Sequence, residues 1–89
     1  MLVLPVDLTH SQARACLQML VQGLRMEQGP TVVVDAAALS RFDSAALAVL
    51  LEFRRASLAI GKNLAIRDMP TRLRDLALVY GIAELLPSA

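Results

Sequence analysis

Apolar positions follow two rhythms along this chain. In Thr31-Val32-Val33-Val34-Asp35 and in Asn63-Leu64-Ala65-Ile66-Arg67 they run on without a break between polar ends. Short β-rich runs of this kind predict strands. The absence of alternation in the first predicts burial on both faces, as in a parallel sheet covered by helices. Leu2-Val3-Leu4 is a shorter run of the same type, cut off by Pro5.

Elsewhere the spacing is helical. Ala13, Cys16, Leu17, Leu20, Val21 and Leu24 make one apolar face, with Arg14, Gln18, Gln22 and Arg25 opposite. Ahead of them Thr9-x-x-Gln12 matches a capping box, and Leu8 is placed to staple onto Ala13. Gly29-Pro30 ends that segment.

A second helix is expected from Ser44 to Ile60, with Asp43 as N-cap and Gly61 as the stop. Its core stripe is Ala46, Val49, Leu50, Phe53, Ser57 and Ile60. A neighbouring stripe holds Leu47, Leu51, Arg54 and Leu58, and Glu52 and Arg55 lie opposite the core. Together the stripes are wider than one buried face requires. A third helix follows Pro70, with Leu73, Leu76, Ala77 and Tyr80 at helical spacing and Gly81 as its end. Ala36–Phe42 reads as a connecting loop, and Ile82–Leu86 as one more turn capping the core.

The order β-α-β-α-β-α predicts a single α/β domain over residues 1–89. Its sheet is mainly parallel, with helices packed on it. Asp35 and Asp43-Ser44 then both fall on the loop leaving the central strand. That is the carboxyl end of the sheet, where such folds usually carry function.

Composition narrows the function classes. Aromatic residues are 3% of the chain, too few for a base-stacking surface, and a net charge of +1 gives no bulk attraction to a polyanion. No nucleic-acid partner is expected. One cysteine allows no internal disulfide and no cysteine-based metal cluster. No signal peptide is read at the N-terminus. The longest purely apolar run, Ala45–Leu51, falls far short of the roughly 20 residues that cross a bilayer. Direct membrane insertion is therefore not expected. A cytosolic compartment fits the single cysteine, and the chain could still sit on a protein that spans a membrane.

Asp43-Ser44 is the candidate site, and two readings stand. One is an ordinary helix cap. The other is a hydroxyl at the positive end of a helix, presented for phosphorylation or for close contact with a partner. Ala45 and Ala46 leave that helix start unshielded, and Leu47, Leu51 and Leu58 offer either a broad core face or a patch covered by a partner. Asp35 is read first as a loop-bonding carboxylate; the other reading, a receiver-type phospho-acceptor, would also need an early acidic pair to hold a divalent metal and a lysine at a later strand end. His10 stands alone and Cys16 falls on an apolar face, so no catalytic residue, metal site or cofactor is assigned.

The stretch from Val32 through Leu86 resembles the STAS domain family, a STAS-like (SpoIIAA-like) fold. The residues that carry the resemblance are a hydrophobic strand ending in Asp35, then Asp43-Ser44 opening a helix with Ala45, Leu47 and Leu50. Leu76-Ala77, Val79-Tyr80-Gly81 and Leu85-Leu86-Pro87 make it most similar to the MlaB branch. That branch supplies the STAS subunit of the phospholipid-transport Mla ABC transporter, which maintains outer-membrane lipid asymmetry. The resemblance implies a non-enzymatic subunit that binds the transporter's MlaF-like ATPase, with a permease in the same complex. Its docking surface would be Asp43, Ser44, Ala45, Leu47 and Leu51, with Arg54 and Arg55 at the rim. The alternative within the family is an anti-sigma factor antagonist whose Ser44 is phosphorylated by an anti-sigma factor kinase. Two departures from the family pattern fall at the N-terminal edge. The usual extra strand before Leu2 is missing, and Pro5 replaces a glycine.

Overall fold

A computed structural model describes all residues, 1–89. Three strands, β1 (Leu2–Val3), β3 (Thr31–Asp35) and β5 (Asn63–Arg67), form one parallel sheet in the order β1-β3-β5. Five residue pairs, from Thr31–Asn63 to Asp35–Arg67, set the register of its central pairing. Two further strands, β2 (Asp7–Leu8) and β4 (Arg41–Phe42), pair in parallel as a separate short ribbon. The helices are α1 (Ala13–Leu24), α2 (Ser44–Ala59) and α3 (Thr71–Val79), followed by a 3-10 turn over Ala83–Leu85.

The sheet is covered on one face, not two. Side chains alternate along a strand. Leu4, Val32, Val34, Leu64 and Ile66 point into a single core that also receives Leu20 from α1, Leu50 and Phe53 from α2, and Leu73 and Ala77 from α3. On the other face, where no helix packs, Val33 is half-buried, its cross-strand partner Ala65 is 9% exposed and Val3 is 52% exposed. The unbroken valine run hid this alternation.

Other departures have local causes. α1 begins at Ala13 because Thr9–Gln12 forms a tight turn, with Gln12 N–H bonded to Thr9 O and Ala13 N–H to His10 O. Only half of the capping box forms. Gln12 Oε1 accepts Thr9 N–H at 2.8 Å, but the Thr9 hydroxyl also donates to that oxygen, at 2.7 Å. Ile60 is 54% exposed instead of core, because α2 stops at Ala59 and the chain leaves helical phase there. The ribbon strand β4 lies inside the segment read as loop.

Ser57 is fully buried, and its hydroxyl donates to Phe53 O at 2.8 Å, one turn back along α2. A polar group at that depth needs such a partner. Cys16 is buried on α1, and burial pushes its thiol above its ordinary range. No helix is long and apolar enough to cross a membrane.

The tail closes the far edge of the sheet. Ile66 N–H donates to Pro87 O at 2.7 Å, and Ala89 N–H donates to Ile66 O at 2.9 Å. Leu86 is fully buried beneath this contact. The Arg74 guanidinium holds the tail from α3, donating to Leu86 O at 2.9 Å, Ala83 O at 3.4 Å and Ser88 Oγ at 3.3 Å.

Two outcomes follow from this arrangement. Arg74→Ala should cost about 1–3 kcal/mol in urea denaturation, by leaving tail carbonyls unpaired. The Ile66 amide should then exchange faster, while amides between β3 and β5 keep their protection; equal acceleration of both would contradict a tail clamp. Cys16 should resist a thiol-alkylating reagent in native buffer and react fully in denaturant, read by intact mass.

Candidate docking site

The site begins where β3 ends. Asp35 turns the chain, its Oδ1 accepting the N–H of Ala37 at 2.9 Å, so its carboxylate serves the loop. The chain then passes through Leu39, which is buried, and into β4. Asp43 follows in an extended conformation and caps α2.

The Asp43 carboxylate has two duties. Oδ1 accepts the N–H of Ala45 at 2.8 Å, as an N-cap should. Oδ2 accepts the N–H of His10 at 3.2 Å. One side chain therefore ties the turn before α1 to the start of α2. Both oxygens are engaged within the chain, which makes Asp43 first a positioning residue for Ser44.

Ser44 is exposed and Ala45 is half-buried beside it. Leu47 requires a correction. It is 3% exposed and belongs to the core, so it cannot form a docking surface. Its neighbour Ala46 is also fully buried, and the broad face of α2 is filled by packing against both α1 and α3. Leu51 is half-buried at the edge of that core, and Arg54 is half-buried beside it. Arg55 is exposed and pairs with Glu52 at 3.7 Å. Leu58 is 44% exposed, but it lies almost four turns from Ser44.

The solvent face that does start at Ser44 runs through Ala48, Glu52 and Arg55, all exposed. Helical spacing puts them in one line. Its first two turns present only small side chains, so another protein's backbone can approach closely.

A flank beside this face was not read from the sequence. Phe42, half-buried two residues before Ser44, is stacked under the Arg72 guanidinium, 5.3 Å from the ring centroid. Phe42, Arg72, Asp75, Leu76 and Val79 line a shallow groove of about 360 Å³. Tyr80, which shares the helical spacing of Leu73, Leu76 and Ala77, is 58% exposed. The available signal was Leu76-Ala77-Leu78-Val79-Tyr80, a helical stretch apolar all round and wider than one buried face.

No group of three or more His, Cys, Asp or Glu side chains is placed to hold a metal ion. The arrangement offers a small exposed hydroxyl, a held helix start and an apolar flank. These suit recognition of another surface.

Asp43→Ala should therefore lower stability by about 1–2 kcal/mol through loss of the cap, while Asp43→Asn, which keeps one acceptor oxygen for the cap and loses the bond to His10 N–H, should fall between that variant and the parent. Chemical denaturation of both variants checks this; an Ala variant as stable as the parent would refute the stapling role.

No curated protein matches the chain. The family described as "Mlab, STAS domain" matches residues 1–87, nearly the whole length, and covers the sheet, the Asp43-Ser44 turn and α3 alike. With its three helices on a parallel sheet, the chain is STAS-like in fold and belongs to the MlaB-type STAS-domain family.

Proposed function

We propose that this chain is a non-enzymatic accessory subunit that docks on the ATPase of an Mla-type phospholipid-transport ABC transporter and supports its assembly and activity. It would sit on the cytoplasmic face of the inner membrane through that partner, with the permease in the same complex. The observation that carries this reading is the exposure of Ser44 at the open start of α2, inside a chain matched over residues 1–87 by the MlaB-type family. The contact face centres on Ser44, Ala45 and Ala48, with Leu51, Arg54 and Arg55 further along the helix. Asp43 acts by holding the helix start in place.

An exposed hydroxyl at a helix N-terminus also supports a second reading, phosphorylation by an anti-sigma factor kinase. One pair of measurements separates them. The ATPase subunit of an Mla-type transporter, co-expressed with this chain, should co-purify with it. Ser44→Arg should weaken that capture by about tenfold or more, because a long cation enters a close contact. Undiminished capture by the Arg variant would sink this surface. Incubation with an anti-sigma factor kinase and ATP should leave the intact mass unchanged; gain of one phosphoryl group, lost in Ser44→Ala, would favour the second reading.

A further inference from the structure

We draw no further inference here: the strongest candidate, the polar cavity at the carboxyl end of β5 lined by Arg67, Asp68, Thr71, Arg74 and Ser88, carries nothing, because Arg67 pairs with Asp68, Arg74 is spent on the C-terminal tail, and nothing in the structure shows what would occupy the helix start that remains.

Discussion

The structure depends on a sheet that is covered on one face only. The three helices of residues 1–89 all lie against that face. All three helices must then share one core, with α2 packed between α1 and α3. Leu47, Leu50 and Phe53 are drawn inward by this double contact, and nothing wide and apolar is left on the outer side of α2. The edges are handled separately. Pro5 ends β1 after two residues, and the tail seals β5 by pairing at Ile66. Short strands, proline and covered edges are common ways to avoid edge-to-edge pairing.

The same layout fixes the end that carries the candidate site. Parallel strands oblige each helix to start at their carboxyl side, so the start of α2 lies in the middle of that end. Asp43 holds it to the turn before α1, and Phe42 with Arg72 joins it to α3. Ser44 is thus presented by a frame anchored on both sides, although it is itself exposed. A rigid frame reduces the entropy lost when a partner binds.

Legibility in the sequence followed the length of each signal. The central strands were read to the residue, because five-residue apolar runs between polar ends leave little choice. α2 was placed nearly as well, since Asp43 and Gly61 mark its limits. The ribbon of β2 and β4 was missed because two-residue strands have no periodicity to detect. Leu47 was misplaced because helical spacing shows which residues share a stripe, not how many neighbouring helices cover it. The groove on α3 was missed for the converse reason. Leu76 and Tyr80 have core spacing, but only Leu73 and Ala77 meet another element closely enough to be buried. The Arg74 clamp had no local signal, because all its acceptors lie nine or more residues away.

The engaged state of Asp43 also bears on what a phosphate at Ser44 would do. A helix N-terminus attracts an anion by only about 0.3–1 kcal/mol at an exposed position. Here the Ala45 N–H already serves Asp43 Oδ1, and the Ala46 N–H serves Asp43 O at 3.0 Å. Few free donors remain, and the Asp43 carboxylate stands next in the chain. A phosphoryl group would find no ready cradle and would extend into solvent, over the small side chains of Ala45 and Ala48. Its effect on this geometry is to obstruct a close contact. Docking and phosphorylation would therefore be mutually exclusive uses of one surface, and Asp43, by spending its carboxylate on the fold, is the residue that makes them so.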